Sequence, residues 1–483
     1  MSRRIVGPFN RVEGDLEIKL EIADGAVREA WVNSPLYRGF EQILLGKDPT
    51  DALVYTPRVC GICSVSQSMA AAAALASMQA IAPPPNGALL QNLILAAENV
   101  ADHLTHFYVF YMPDFARPVY EKEPWYAHAH ARFKAVEGTA AREVLQARAQ
   151  FLHVMGTLAG RWPHTLGLQP GGTTRAIGAA EQARVLAILA SFRRFLEACT
   201  FADTLEKIAA LDSEAALEAW AETAAPTHGD FRHFLHVSKA LDLDRLGLGT
   251  GRFLSYGAYR FDETHTFKRG VFEGGRASAL HTADIAEDHA SSWLVRGGGP
   301  SHPSRGLTLP DPDAPGGYSW CKAPRLRGAV VEVGALARQV VDGHPLIMDL
   351  VAKGGGNARN RVIARLLEIA RIVPLMEAWA RSIHPREPCC YHGSTPAEAE
   401  GEGLIEAARG ALGHWIQVRN GRILNYQIIA PTTWNFSPRD MNGQPGVCEQ
   451  ALIGAPVRAG EVEPVAVQHI VRSFDPCMVC TVH

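Results

Sequence analysis

The sequence lacks several features by which whole classes of protein are recognised. Its 483 residues carry a net charge of only −3, so no basic excess indicates binding to nucleic acid. It has no internal repeat and, apart from a run of alanines at residues 70–74, no low-complexity tract. Hydrophobic residues make up 47% of the chain and charged residues 20%, which predicts a globular protein with a large core.

Long apolar segments are also missing. The stretch 93–110 comes nearest to one, but Glu98, Asp102 and His103 interrupt it. No uninterrupted apolar run is therefore long enough to span a bilayer. Residues 1–8 show no apolar centre of a signal peptide. We expect a cytoplasmic protein that does not cross a membrane.

Cysteine is sparse, and its nine residues do not form the dense pattern of a secreted disulfide framework. Four of them make two C-x-x-C pairs at opposite ends of the chain, Cys60 with Cys63 and Cys477 with Cys480. Two thiolates at this spacing can bind one soft metal ion, because a single turn brings both sulfurs to the same side. The pairs therefore predict a four-thiolate site that joins the two ends. The four cysteines alone favour a structural zinc site, since closed four-thiolate sites are usually structural. Structural zinc pairs, however, usually lie close together in one small module.

The flanks of both pairs carry a resemblance. The first pair lies in R-V-C-G-I-C, and the second lies in D-P-C-M-V-C-T-V-H at the end of the chain. Together these blocks resemble the large subunit of nickel–iron hydrogenases. Further blocks extend the resemblance over nearly the whole chain: R-V-E-G at 11–14, R-G-F-E at 38–41, D-H-L-T-H-F-Y at 102–108 and E-A-A-R-G at 406–410.

The resemblance implies a nickel–iron centre on the four cysteines. Cys60 and Cys477 would bind nickel alone, whereas Cys63 and Cys480 would bridge nickel and iron. The iron would carry carbonyl and cyanide ligands, which no residue of the chain could supply. Soft thiolates suit both metals.

The same resemblance implies a heterolytic cleavage of H2 into protons and electrons. The Cys477 sulfur would be the first base, and Glu13 of the R-V-E-G block would receive the proton next. Arg409 matches an arginine that lies above the metals, where its guanidinium is a fixed positive charge. Asp102 matches an aspartate near the metals, and Asp475 of the D-P-C block is assigned to the same catalytic group.

Three further positions match residues that bind ligands or ions. Thr433 matches a hydroxyl that hydrogen-bonds an iron cyanide. Glu41 and the C-terminal His483 match the protein ligands of a magnesium ion. The electrons would leave through iron–sulfur clusters, for which this chain has no cysteines left. An iron–sulfur small subunit is therefore the implied partner, in a heterodimer or a dimer of heterodimers.

One position departs from the usual family pattern. Catalytic hydrogenases usually have histidine four residues after the second cysteine, whereas this chain has Gln67, which can donate a hydrogen bond but cannot be protonated. Together with Ala408, which replaces a usual proline, Gln67 resembles the hydrogen-sensing, regulatory branch. We therefore expect an H2 sensor of low turnover that signals to a histidine kinase. An energy-yielding uptake hydrogenase is the alternative. A metal-free subunit like that of respiratory NADH dehydrogenase is disfavoured, because that relative has lost the cysteines.

Two larger side chains match positions at the inner end of the family's gas channel. Ile62 lies between the first two cysteines, and Phe110 lies beyond Asp102 on a predicted helix. The catalytic branch usually has valine and leucine at these positions. The resemblance thus predicts a narrowed passage and oxygen tolerance, with core packing as the alternative.

The predicted fold is mostly α, within an α+β class, and consists of one interleaved unit over residues 1–483. Residues 1–58 form an N-terminal β-hairpin region, in which apolar and polar residues alternate on either side of the turn at Asp24-Gly25. Residues 59–248 form a bundle of long helices. Residues 249–350 form a β-rich peripheral region. Residues 351–483 hold helices, strands and the metal-binding tail.

Overall fold

The structure is a computed structural model that describes residues 2–262 and 264–483. Eighteen α-helices occur in these described residues, and they run in chain order as α1 (Phe40–Leu44), α2 (Ala52–Tyr55), α3 (Ser64–Met78), α4 (Pro85–Thr105), α5 (Tyr126–Phe133), α6 (Thr139–Phe151), α7 (His153–Ala159), α8 (Ala179–Phe195), α9 (Leu205–Ala209), α10 (Glu214–Glu222), α11 (Asp230–Ala240), α12 (Ala335–Asp342), α13 (Pro345–Gly354), α14 (Ala358–Ser382), α15 (Pro431–Asn435), α16 (Val447–Leu452), α17 (Val465–Ser473) and α18 (Met478–Thr481).

The strands form small antiparallel sheets around this helical body. In the same described ranges they are β1 (Ser2–Val6), β2 (Glu17–Ala23), β3 (Ala26–Asn33), β4 (Leu168–Gln169), β5 (Gly172–Thr173), β6 (Phe253–Phe261), β7 (Thr264–Glu273), β8 (Arg276–Ser278), β9 (Ile285–Asp288), β10 (Ala323–Leu326), β11 (Ala399–Ala407), β12 (Gly410–Arg419) and β13 (Arg422–Ile429). Three sheets have three strands, in the orders β1-β2-β3, β6-β7-β8 and β11-β12-β13. The mostly helical α+β prediction is confirmed.

The predicted N-terminal hairpin is formed by β2 and β3. The turn residues Asp24 and Gly25 both have positive φ, 53° and 71°. Two such residues are what a tight hairpin turn requires, and Asp-Gly tolerates them. Alternate residues Ile18, Leu20 and Ile22 on β2 are buried, so the hairpin packs one face onto the body.

Helices α4 and α14 are surrounded by protein along most of their length. Every residue of α4 from Asn86 to Leu104 is buried, polar ones included. A helix that is buried on all sides belongs in the middle of a bundle. Beyond Thr105 the helical path widens into a π-helical segment, His106–Tyr111. Such segments are rare and often occur at functional sites.

Helix α3 lies against the sheet β11-β12-β13, and two glycines of β11 allow the close approach. A Cβ added at Gly403 would lie 2.0 Å from the carbonyl oxygen of Ala70, and one added at Gly401 would lie 2.4 Å from that of Ala74. The alanine run at residues 70–74 therefore contacts strand backbone directly. Because α3 begins immediately after Cys63, this contact positions the first cysteine pair.

Substitution of Gly403 should reveal how much this contact contributes. Gly403→Ala should lower the unfolding free energy by about 1–3 kcal/mol, because backbone atoms cannot yield as a flexible side chain would. Gly156→Ala is the matched control, since a Cβ there meets nothing within 4 Å. In α7 it should be neutral or slightly stabilising. Thermal unfolding of the two variants side by side tests this, and equal melting temperatures would contradict it.

The β-rich region is less peripheral than expected. Strand β6 is buried from Phe253 to Tyr259, whereas β8 is exposed throughout. The composition of this stretch does not reveal that α4 and α12 cover β6. The largest hydrophobic core includes Leu44, Leu93, Phe253 and Leu367, one from each predicted range. On this basis we propose that residues 1–483 form a single interleaved unit. None of the helices in the described part of the chain has the length and apolar character needed to cross a bilayer.

Candidate metal centre

The two C-x-x-C pairs meet in the interior. The Sγ atoms of Cys60 and Cys477 lie 3.5 Å apart, those of Cys63 and Cys480 2.9 Å apart, and those of Cys477 and Cys480 3.2 Å apart. All four Sγ atoms lie within 4.8 Å of one another, and all four residues are buried. Backbone N–H groups of Ile62 and Cys63 donate to the Cys60 sulfur at 3.3 and 3.4 Å.

Backbone contacts hold the two pairs together. The carbonyl oxygen of Glu13 accepts from the Met478 N–H at 2.7 Å, and the Glu13 N–H donates to the Pro476 carbonyl at 3.4 Å. Arg38 donates to the carbonyl of Val59, just before Cys60, and to that of Val479, inside the second pair. The R-V-E-G and R-G-F-E blocks therefore join the ends of the chain around the sulfurs. Sequence reasoning missed Arg38.

A carboxylate from α4 binds the start of α3. Glu98 accepts hydrogen bonds from the N–H groups of Val65 and Ser66, both at 2.8 Å, from the Ser66 hydroxyl at 2.8 Å and from the Trp162 indole at 3.0 Å. The first N–H groups of a helix have no partner within it, so Glu98 supplies one from outside. Burial raises the pKa of Glu98 to about 7 although these donors oppose the rise. It fixes the helix that follows Cys63, and the sequence showed it only as a break in an apolar run.

Arg409 is held between two aspartates. Its Nε donates to the Asp475 carbonyl at 2.9 Å, and its Nη2 lies 3.1 Å from the Asp475 carboxylate and 3.0 Å from that of Asp102. Burial alone would lower the pKa of Arg409, but Asp102, Asp475 and the nearby Cys477 and Cys63 outweigh it and raise the pKa well above its usual value. The guanidinium is therefore a permanent charge near the sulfurs. Its Nη1 is buried and has no hydrogen-bond partner in the described residues.

The loop before Arg409 is fixed by a buried arginine that sequence reasoning missed. Arg338 donates to the carbonyls of Ala407 and Ala408 at 2.7 and 2.9 Å, and it pairs with Glu406 and Glu368. These contacts hold the backbone where the usual family form has proline. Ala408 therefore does not leave the loop without support.

Glu13 lies half-buried beside this group. Burial raises the pKa of its carboxyl, Cys60 and Asp102 raise it further, and Arg409 opposes them. A raised pKa moves a carboxyl towards the range in which it can take and release protons near neutral pH. The neighbouring Arg11 pairs with the buried Asp114, which also binds Arg472 of α17 at 2.8 Å.

Glu41 and His483 come together in a second buried cluster. The Glu41 Oε1 atom lies 3.4 Å from His483 Nε2 and 3.0 Å from Lys322 Nζ, and Lys322 lies 2.7 Å from Glu287. Burial would raise the pKa of Glu41, but Lys322 and His483 hold it below its usual value. Lys322 and Glu287 were not predicted as members of this cluster. The carbonyl of Ile428 also contacts His483, at 2.9 Å.

Thr433 lies beside the C-terminal segment, where its hydroxyl donates to the Thr481 carbonyl at 3.0 Å. The hydroxyl of neighbouring Thr432 accepts from the Cys477 N–H at 3.1 Å.

Ile62 and Phe110 are both partly buried, Phe110 within the π-helical segment. Gln67 is fully buried and accepts from His414 at 2.8 Å.

The donors fit the groups that the sequence predicts. Four buried thiols that converge from two distant loops suit a soft metal centre, whereas a hard cation would require oxygen ligands. Glu41 Oε2 is buried without a hydrogen-bond partner in the described residues, and it lies in the same cluster as His483 and the Ile428 carbonyl. Oxygen donors of this kind suit magnesium.

Comparison with known proteins agrees with this donor set. The nickel-dependent hydrogenase family matches residues 38–132 and 139–483. The periplasmic NiFeSe hydrogenase large subunit of Desulfomicrobium baculatum is 30% identical, over 99% of this chain and 94% of that protein. The uptake hydrogenase large subunit of Rhodobacter capsulatus is 26% identical, over 100% of this chain and 95% of that protein.

Solved structures of the same kind share the fold. The structure of the H2-activated Dm. baculatum NiFeSe hydrogenase matches with a TM-score of 0.86 and 29% identity, and each chain is covered over 100% of its length. The four converging cysteines and the family match together show that this chain belongs to the nickel-dependent hydrogenases and is a hydrogenase large subunit, the subunit that holds the active site.

Proposed function

We propose that this chain cleaves H2 heterolytically at a nickel–iron centre. The observation that carries the proposal is the convergence of four buried thiols next to the permanently charged Arg409. Cys60 and Cys477 would hold nickel, and Cys63 and Cys480 would hold nickel and iron together. When bound, the metals would polarise H2 and accept its electrons. All four cysteines are buried, so the metals would lie inside the protein.

Two side chains accept the proton in turn. The Cys477 sulfur is the first base, and Glu13 receives the proton from it. The Glu13 backbone pairs with Pro476 and Met478 on either side of Cys477, and this pairing keeps the two groups in register. The raised pKa of Glu13 favours transfer in both directions.

Arg409 provides a fixed positive charge over the site where charge develops. Asp102 and Asp475 hold it in place and prevent rotation of the guanidinium. A positioned charge that does not reorganise during the reaction is a large source of catalytic stabilisation.

Further groups complete the centre. The iron would carry carbonyl and cyanide ligands, and Thr433 lies beside the segment that holds Cys480. Glu41 and His483 would hold magnesium, which is supported by the Glu41 oxygen that has no hydrogen-bond partner in the described residues. The two carboxylates Glu41 and Glu287 exceed the single charge of Lys322, so a further cation would be favourable there. The electrons would leave to iron–sulfur clusters of a small subunit, in a heterodimer or a dimer of heterodimers.

Within this function we also propose a regulatory role. Gln67 and Ala408 support an H2 sensor that turns over slowly, lies in the cytoplasm and signals to a histidine kinase. An uptake role is the second candidate, because the Rhodobacter capsulatus relative bears that name.

Metal analysis together with H2 oxidation assays of the purified complex tests the proposed function. Nickel and iron bound to the chain, with H2 uptake, are expected. Zinc at full occupancy with no H2 uptake would refute it. Kinase phosphorylation with and without H2 then separates the sensor from the uptake enzyme.

Replacement of Gln67 should reveal its part in signalling. Gln67→His should change H2 turnover or the response to H2 while the metals stay bound, because it alters one neutral hydrogen bond worth about 1 kcal/mol. Gln79→His, at the C-terminal end of the same helix, is the control. Unchanged turnover, infrared bands and H2 response would exclude a special role for Gln67.

The gas passage gives a separate prediction. We propose that Ile62 and Phe110 narrow the route to the metals. The double variant Ile62→Val/Phe110→Leu should keep H2 oxidation without oxygen but lose it under air. Each change costs roughly 1 kcal/mol in stability, so the fold should survive. The rate at which oxygen inactivates the enzyme should be measured for variant and parent at controlled oxygen concentrations. Equal rates would show that Ile62 and Phe110 only pack in the core.

A further inference from the structure

A chain of three buried side chains leads from the sheet β11-β12-β13 to Gln67, one helical turn after Cys63. The Tyr426 hydroxyl lies 2.7 Å from His414 Nδ1, and His414 Nε2 lies 2.8 Å from Gln67 Oε1. All three residues are at most 1% exposed. The amide nitrogen of Gln67 is also buried, and it has no hydrogen-bond partner in the described residues.

The protonation of His414 fixes the direction of these bonds. Burial lowers the pKa of His414 to about 3, and His483 lowers it further against the opposing effect of Glu41. The imidazole is therefore neutral, with one N–H and one lone pair. If Tyr426 donates to Nδ1, then Nε2 carries the hydrogen and donates to the Gln67 oxygen. The amide nitrogen of Gln67 is then left on the opposite side, free to donate.

Gln67 lies next to the first cysteine pair. Gln67 lies one helical turn after Cys63, and its N–H donates to the Cys63 carbonyl at 3.1 Å. Residues four apart share a helix face, so Gln67 lies on the face of the bridging cysteine. Because its oxygen accepts from His414, the amide can offer only its nitrogen to a further partner, and a thiolate can accept a hydrogen bond from that nitrogen.

We propose that Tyr426 and His414 are positioning residues that hold the Gln67 amide nitrogen as a hydrogen-bond donor towards the thiolate cluster. The proposal rests on the proposed nickel–iron function. Without the two residues the amide is free to turn, and the sulfurs lose a donor. A hydrogen bond to a thiolate withdraws electron density from the metals that it binds. Gln67 therefore acts on the metals through an orientation that two distant strands determine.

The sheet explains why this arrangement is rigid. His414 on β12 pairs in register with Ile428 of β13, so Tyr426 is its diagonal neighbour on the same face. On the other side, His414 pairs with Gly403 of β11, the glycine that lets α3 approach. The strand pairing therefore places His414 next to α3, the helix that bears Gln67.

Two substitutions test the positioning. Tyr426→Phe removes one oxygen, and His414→Phe removes both ring nitrogens. In the purified complex, the infrared bands of the carbonyl ligand should shift to lower wavenumber in both variants, because the metals become richer in electrons. Tyr256→Phe is the matched control, since Tyr256 is equally buried and its hydroxyl has no hydrogen-bond partner in the described residues. Its bands should stay in place. Should His414→Phe fail to take up metal, Tyr426→Phe decides the case.

The Gln67→Leu background separates positioning from a structural effect. If the tyrosine acts through the amide, Tyr426→Phe should cause no additional band shift once the amide is gone. An equal shift in both backgrounds would overturn the proposal, as would parental bands in Tyr426→Phe and His414→Phe at full nickel content. A parent protein without nickel, iron or any such bands would instead refute the nickel–iron centre itself. The two failures are thereby distinguished.

Discussion

Replacement of Cys63 or Cys480 by serine should remove nickel from the protein and reduce H2 oxidation to background. Each is one of four buried thiols within 4.8 Å of one another, so three sulfurs and a hydroxyl would remain. A serine hydroxyl is a hard, weakly acidic donor that does not replace a bridging thiolate for a soft metal. The purified variants should contain no stoichiometric nickel by elemental analysis.

Cys448→Ser provides the matched control for that experiment. Cys448 is fully buried, as Cys480 is, but it lies in the core formed by the N-terminal hairpin, α16 and α17. Burial of a hydroxyl there costs stability without touching the metal donors. Nickel should therefore persist in Cys448→Ser. Loss of nickel from all three variants would show that serine removes nickel by disturbing the fold and not by removing a metal ligand.

The long helices were the most predictable part of the fold. Helix α14, Ala358–Ser382, lies in the range 351–483, for which helices were predicted. Its start is fixed by Asn357, whose side chain accepts from the Asn360 N–H at 2.8 Å. By contrast, the predicted helix that holds Asp102 and Phe110 changes into a π-helical segment after Thr105. Nothing in the local residues indicates this widening, because it depends on tertiary contacts.

The candidate site shows the same division between local and distant information. The spacing of Cys60 and Cys63 predicts that their sulfurs share a side, and it requires only one turn of chain. The contact between Gln67 and His414 depends on strand register and on the approach of α3 to β11, which no local pattern encodes. For the same reason the position of Lys322 between Glu41 and Glu287 was not predicted. Residues joined by distant strands are the ones that sequence reasoning missed.

Glu13→Gln should lower H2 oxidation by about a hundredfold or more, because the amide cannot take the proton that a positioned carboxyl accepts. Gln is nearly isosteric with Glu, and the backbone of residue 13 still pairs with Pro476 and Met478. The four thiols are untouched. Nickel content and the infrared bands of the iron ligands should therefore remain close to those of the parent, while turnover and exchange between D2 and solvent protons both fall.

Glu17→Gln is the control for this second experiment. Glu17 lies on β2 in the same N-terminal segment, and its carboxylate accepts from Asn33 at 3.0 Å, a bond that an amide oxygen preserves. Its turnover should match that of the parent. Glu13→Asp, which keeps the carboxyl but shortens its reach, should lie between the parent and Glu13→Gln. If Glu13→Gln instead exchanges D2 with solvent as fast as Glu17→Gln does, the proton leaves Cys477 by another route, and Glu13 only supports the loop around that cysteine.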